Sequence, residues 1–188
     1  MLASLIAIPA TATAGSTVRI PRVTALTTTT VDRSWYSEEI YVLGLTNCTR
    51  TGGWVLSNGT CRGYGSGRYS GYVAPLRYSG AMSDSVVRPY ARTLSIRNIC
   101  SHYLGGNPGD RLRVAGYRTG AWGENIGCRD GYSLSKRAVL ISHLVFQSEK
   151  STNGGHWRNI KNARYHYIGI GVWRYAARTR LVTDFYSG

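Results

Sequence analysis

Two carboxylates and one imidazole stand out by type and setting in this chain of 188 residues. Glu124 lies in Trp122-Gly123-Glu124-Asn125-Ile126, where glycine permits close backbone approach and a carboxylate beside an amide can both coordinate a cation and be held by hydrogen bonds. Glu149 closes Phe146-Gln147-Ser148-Glu149, and His156 follows in Gly154-Gly155-His156-Trp157-Arg158-Asn159-Ile160, whose glycines free the turn geometry. Brought together, Glu124, Glu149 and His156 would suit a divalent cation such as zinc, because imidazole suits zinc and carboxylate oxygen tolerates zinc or a harder ion. No other cofactor is implied. Three such ligands plus a water would make an open site of the kind metal-dependent hydrolases use. Without a metal, a histidine and a glutamate with arginines nearby are the parts of a secreted ribonuclease, but nothing fixes a scissile phosphate near His156. The plain alternative is a polar network in which the three residues satisfy one another.

The elements that must position these groups are read from periodicity. Tyr36, Ile40 and Leu43 share a helical face, which predicts a first helix from about Ser34 to the Gly52-Gly53 stop. A second helix carries Val87, Tyr90 or Ala91, and Leu94 as its buried stripe, and Pro89 places its start near Ser85. Asn107-Pro108 reads as cap and first position of a short helix stopped by Gly116. Ser133 is expected to cap a helix striped by Leu134, Ala138, Ile141 and Val145, leading to Glu149. Tyr167 to Val172 alternates Ile and Val with Gly, as a half-buried strand would, and Leu181, Thr183 and Phe185 make its antiparallel partner. His143 reads as a packed or solvated helix residue, and His166 as a surface one.

Charge and cysteines bound the setting. There are 23 Lys plus Arg against 9 Asp plus Glu, a net charge of +14, with the arginines spread along the chain. Such a balance gives a well-solvated surface, and it also favours anionic partners: acidic glycopolymers, phospholipid headgroups or, least favoured, nucleic acid. Between Gly52 and Gly80 arginines alternate with tyrosines, which reads chiefly as a surface loop. Residues 1–14 are apolar and end in Ala12-Thr13-Ala14, the pattern of a signal peptide and hence of a secreted, extracellular protein. Residues 15–33 form a Thr-rich linker or arm, and 34–188 one domain, with no transmembrane stretch expected. Cys48, Cys61, Cys100 and Cys128 then suggest two disulfides in one of three connectivities. Cys48 with Cys61 and Cys100 with Cys128 is favoured: the first closes a Gly-rich loop, the second ties a helix end to the Glu124 strand. Zinc binding by the cysteines lacks a C-x-x-C spacing. Asn47 and Asn58 lie in Asn-x-Thr sequons, though Asn47 is expected inside the fold.

The run from Gly116 to Gly171 resembles the carboxy-terminal half of a CAP domain, the module of cysteine-rich secretory proteins, antigen 5 and pathogenesis-related proteins. The motifs are Gly-Glu-Asn-Ile at Gly123 to Ile126, Phe146-x-x-Glu149 for the family's Trp-x-x-Glu, and Gly155-His156-x-x-Asn159-Ile160. Asp110-Arg111-Leu112-x-x-Ala115-Gly116-Tyr117 resembles the approach to the central strand, and Ser101-His102 a Ser-His that bacterial members carry, giving a structural or cleft-edge histidine. The resemblance implies an α+β fold, a three-layer α-β-α sandwich with a small, mainly antiparallel sheet. It also implies a cleft of two histidines and two acids, of which Glu124, Glu149 and His156 are three. Thr46-Asn47-x-x-Arg50 resembles the family's His-Asn-x-x-Arg, so Thr46 stands where the fourth is expected. The function implied is a non-catalytic binding or defence module acting on a surface component, a lipid or sterol, or a partner protein, with a metal-dependent hydrolase as the alternative.

Overall fold

The structure, a computed structural model, describes residues 32–118 and 120–188. The expected leader and the Thr-rich arm up to residue 31 lie outside the described residues. Helix α1 (Tyr36–Arg50) leads into a two-stranded hairpin, β1 (Trp54–Val55) with β2 (Cys61–Arg62), and then into β3 (Arg77–Tyr78). Helix α2 (Gly80–Met82) continues through a π-helical turn (Ser83–Val87) into α3 (Arg88–Arg97), followed by α4 (Pro108–Val114) and β4 (Trp122–Asp130). Helix α5 (Ser135–Ser148) passes through a 3-10 turn (Glu149–Thr152) to α6 (Gly155–Lys161), and β5 (Tyr167–Tyr175) and β6 (Arg178–Tyr186) complete the domain.

The sheet runs β3-β5-β6-β4, antiparallel except for the parallel β3–β5 pair, with β4 at one edge. Val42 of α1, Val139 and Phe146 of α5, and Ile160 of α6 pack on the face carrying Ile168, Ile170, Val172, Leu181 and Phe185. Val87, Ala91 and Leu94, with Leu112 of α4, pack on the opposite face against Ile126 and Val182. The result is the three-layer α-β-α sandwich expected. Disulfides join Cys48 to Cys61 and Cys100 to Cys128, the favoured pairing.

Several expectations need correction. The second helix begins at Gly80, ahead of the expected start near Ser85. Proline lacks a donor and crowds the carbonyl four residues back, and the wider π turn just before Pro89 lets the helix continue into it. The buried faces of α1 and α5 are rotated from the apolar stripes. Tyr36 and Ile40 are exposed, and α1 buries Glu39, Val42, Thr46, Thr49 and Arg50 instead. Leu134 and Val145 are exposed too, while α5 buries Ala138, Val139, Ser142, His143, Phe146 and Gln147. Leu134, not Ser133, occupies the cap position.

The two helices meet through these polar faces. Thr49 Oγ1 donates to Gln147 Oε1 at 2.9 Å and accepts from His143 Nε2 at 2.9 Å. Gln147 also bridges both backbone groups of Val55. Burial drives the His143 pKa down to about 3, so the ring sits neutral in the interface. Elsewhere on α1, the buried Glu39 carboxylate accepts from Arg88 Nε at 2.8 Å and from Arg88 Nη2 at 2.7 Å.

Strand β5 is buried on both faces from Ile168 to Val172, where a half-buried strand was expected. Its glycines face the layer of α2 and α3. A Cβ on Gly171 would stand 2.5 Å from the carbonyl of Val87, so the π turn rests directly on the strand backbone. Gly171→Ala should therefore lower the unfolding free energy by about 2 kcal/mol, a typical cost of overpacking against a backbone that cannot yield. Urea denaturation of the purified domain measures it, and a loss under about 0.5 kcal/mol, the range of an ordinary surface substitution, would show the contact to be soft.

Candidate functional site

Edge strand β4 organises the candidate site. Side chains alternate across a strand, so Glu124 and Asn125 point to opposite faces of the sheet. Glu124 turns toward α3 and α4. Its Oε1 accepts from His102 Nδ1 at 2.7 Å, and its Oε2 pairs with Arg111 of α4. The glutamate side chain is 1 % exposed and the imidazole 39 %. Arg111 also donates to the backbone oxygens of His102 and Gly106, and its guanidinium lies 3.6 Å from the Tyr90 ring centre. The Asn107 and Asp110 capping box fixes α4 at the register this requires, and the Cys100–Cys128 disulfide ties the His102 loop to the same strand.

Asp184 is paired with Glu124 across the β4–β6 ladder and is 1 % exposed. Among the described residues no donor reaches its carboxyl oxygens, and the neighbouring Glu124 carboxylate can accept from it when it is protonated. Burial first, and then the charge of Glu124, push its pKa well above the usual carboxylate range, which favours the neutral acid. Nothing in the sequence pattern distinguishes Asp184, because its environment is made entirely by the neighbouring strand.

Asn125 turns to the other face. Its side chain donates to the His156 carbonyl at 3.1 Å, while Asn159 Nδ2 donates to Asn125 Oδ1 at 2.8 Å and to the Glu124 carbonyl at 3.0 Å. These bonds clasp α6 to the edge strand. A Cβ on Gly123 would lie 2.6 Å from Asn159 Oδ1, so the glycine of Gly-Glu-Asn-Ile makes room for the asparagine of Gly-His-x-x-Asn-Ile. On α6, His156 Nδ1 donates to Glu149 Oε1 at 2.6 Å and its backbone N–H to Oε2 at 2.9 Å. The ring stacks on Phe146 with centres 4.5 Å apart. Burial alone would raise the Glu149 pKa, but hydrogen bonds and charge from His156 outweigh it and hold the carboxyl below its ordinary value.

The expected site residues thus form two histidine–carboxylate pairs, His102 with Glu124 and His156 with Glu149. Among the described residues, no three His, Cys, Asp or Glu side chains are gathered closely enough to hold a metal. Thr46 is buried on α1, 3 % exposed, and shares no hydrogen bond with Glu124, Glu149 or His156 among the described residues. The imidazole beside Glu124 comes from His102. The rest of that helix end is structural: Asn47 bonds both backbone groups of Leu76, and Arg50 binds backbone carbonyls. The clue to His102 lay in its place two residues after Cys100, whose partner Cys128 is on the Glu124 strand.

In both pairs the carboxylate takes the Nδ1 proton. That orients each ring and, in the neutral imidazole, leaves Nε2 as the lone-pair nitrogen, the arrangement found behind metal-ligating and proton-accepting histidines. Asn159→Ala should loosen the clasp and lower the unfolding free energy by about 1–3 kcal/mol, the cost of stranding buried partners. Chemical denaturation reads this directly, and an unchanged midpoint would mean that packing alone seats α6.

No protein-family model and no curated protein matches the chain. Solved structures do. An extracellular protein containing an SCP domain from Bacillus anthracis str. Ames aligns with TM-score 0.55 at 18 % identity, over 81 % of this chain and 41 % of its own. NaASP2, crystallised with Zn2+, aligns with TM-score 0.52 at 14 % identity, over 80 % of each chain. Na-ASP-1 aligns with TM-score 0.52 at 15 % identity, over 79 % of this chain and 38 % of its own. The chain thus spans under half the length of the first and third of these proteins. Among the described residues no helix is long and apolar enough to cross a membrane. The domain built from α1 to β6 has the SCP, or CAP, fold.

Proposed function

We propose that this is a secreted, non-catalytic CAP-type module that binds an anionic surface component. The observation that carries the reading is how the nine acidic side chains are used. Glu39, Asp84, Asp110, Glu124 and Asp130 are paired with arginines, and Glu149 with His156. Asp32 and Glu38 are bonded to serines, and Asp184 is buried in an environment that favours its neutral form. Every acidic side chain thus has an ion-pair or hydrogen-bond partner within the protein or sits where its neutral form is favoured. Exposed Arg62, Arg68, Arg77, Arg97, Arg118 and Arg158 have no carboxylate partner among the described residues, so the outward field is positive. The disulfides, the expected signal peptide and the extracellular SCP-domain protein that shares this fold support export.

The direct test is retention on immobilised polygalacturonate and on vesicles containing an anionic phospholipid, beside neutral dextran and neutral vesicles. Binding to an anionic surface that weakens as ionic strength rises is expected, since exposed charges are screened by salt. Equal behaviour on neutral and anionic surfaces would end the reading.

The two carboxylate-oriented histidines favour a second reading, a divalent cation held through the Nε2 of one imidazole or the other, since no three ligating side chains converge among the described residues, and, with it, a metal-dependent hydrolase. NaASP2 has been crystallised with Zn2+ on a similar fold. The glutamates fit the metal as partners behind the histidines, because their oxygens are already occupied, and not as direct ligands. The cation would polarise a bound water or carbonyl, while Glu124 and Glu149 would keep the rings oriented. Zinc titration by calorimetry should show binding that His102→Ala or His156→Ala abolishes. Heat unchanged in both variants would remove the histidines from any metal site.

A further inference from the structure

A second concave site lies away from the histidine pairs, where β3 meets the start of β5. It has a volume of about 580 Å³ and is walled by Arg50, Tyr72, Arg77, Tyr165, His166 and Tyr167. Backbone pairing sets its cationic rim. Arg77 stands opposite Tyr167 in the parallel ladder, and its N–H donates to the His166 carbonyl at 2.9 Å. Arg77 and His166 are both exposed, and neither has a carboxylate partner among the described residues. Tyr72 is 60 % exposed at the mouth.

Beneath the rim lies a buried charge that no acid compensates among the described residues. The Arg50 side chain is 1 % exposed, and its donors reach the carbonyls of Ala74, Ile160, Asn162 and Tyr165. Lys161 lies behind it, bonded to the Arg50 and Gly71 carbonyls. Burial lowers the Arg50 pKa to about 10, and burial followed by the charge of Arg50 lowers that of Lys161 to about 8. Carbonyl dipoles satisfy the hydrogens but leave the net charge, so the floor projects a positive potential into the pocket.

We propose that this pocket binds a uronate residue of an acidic polysaccharide. The carboxylate would meet the Arg77 fork and the field of Arg50, and the sugar ring would lie on the exposed Tyr72 ring. A planar guanidinium matches a carboxylate in two-point geometry, and an exposed tyrosine offers a flat apolar face at low entropic cost. The volume falls in the usual range for small-ligand sites. The assignment rests on the anionic-surface reading and gives it a place.

The test is calorimetric titration of the whole domain with a galacturonate trisaccharide, beside the neutral galactose trisaccharide and inorganic phosphate. Arg77→Ala and Tyr72→Ala are compared with Arg97→Ala. Arg97 is an exposed arginine at the end of α3, whose neighbour Ser95 bonds Arg178 at the far end of the sheet. All three sites are on the surface, and thermal melts confirm folding. Wild-type binding of the acidic trisaccharide alone is expected, with affinity lowered about tenfold or more by Arg77→Ala, measurably by Tyr72→Ala and under about twofold by Arg97→Ala. Equal losses in the Arg77 and Arg97 variants would overturn the pocket and leave the anionic-surface reading standing on diffuse charge. Equal binding of phosphate would overturn the sugar assignment. No binding of the trisaccharide by a protein that still binds anionic vesicles would also overturn the pocket, and no binding to any anion would remove both readings.

Discussion

One guanidinium holds together segments that the chain keeps far apart. Arg50, the last residue of α1, reaches the loop carbonyl of Ala74 and three carbonyls at and beyond the end of α6, spanning up to 115 residues. Lys161 answers from α6 by binding the Thr49 and Arg50 carbonyls and that of Gly71. A buried and a half-buried cation with no carboxylate between them among the described residues would be costly were their hydrogens not satisfied, and backbone carbonyls are the partners an irregular loop has in surplus. The Gly-rich stretch that looks like free surface loop is thereby pinned at its inner edge, while its tyrosines and arginines remain outside.

The position of α6 follows from that grip on one side and from the asparagine clasp on the other. Once α6 is seated, His156 is presented with its Nδ1 turned to Glu149, at the edge strand that carries Glu124. The two histidine–carboxylate pairs are built by separate means. One depends on a capped short helix and a disulfide, the other on a single turn between Glu149 and His156. Their shared feature is an oriented ring, not a shared ligand sphere. This is why the histidines by themselves do not choose between a binding role and metal chemistry, and why the proposed function rests on the balance of charge instead. Fold likeness at below one-fifth identity speaks to architecture, and function has to be argued from sites.

What the sequence read correctly was local. The cap at Asn107-Pro108 and the stripe of Val87, Ala91 and Leu94 each depend on neighbours within a few turns, as does the pairing of β5 with β6 through a short turn. The faces of α1 and α5 were misread for a physical reason. Hydrophobic periodicity assigns polar residues to solvent, yet Glu39, Thr49, Arg50, His143 and Gln147 are buried because partners 49 to 115 residues away satisfy them. Such partners leave no trace in a window of one helix.

The candidate site divides in the same way. Residue types and motif spacing alone singled out Glu124, Glu149 and His156 as candidates, and indicated that four cysteines would brace an α-β-α sandwich. Only the tertiary structure decided which imidazole stands beside Glu124, that Asp184 is buried against it, and that Thr46 has a place in the core instead. Glu124, His102, Arg111 and Asp184 come from four segments. Their pairing, and the protonation of Asp184, depend on distances of a few ångströms and on exclusion of water, and both exist only once the sheet and helices have closed around them.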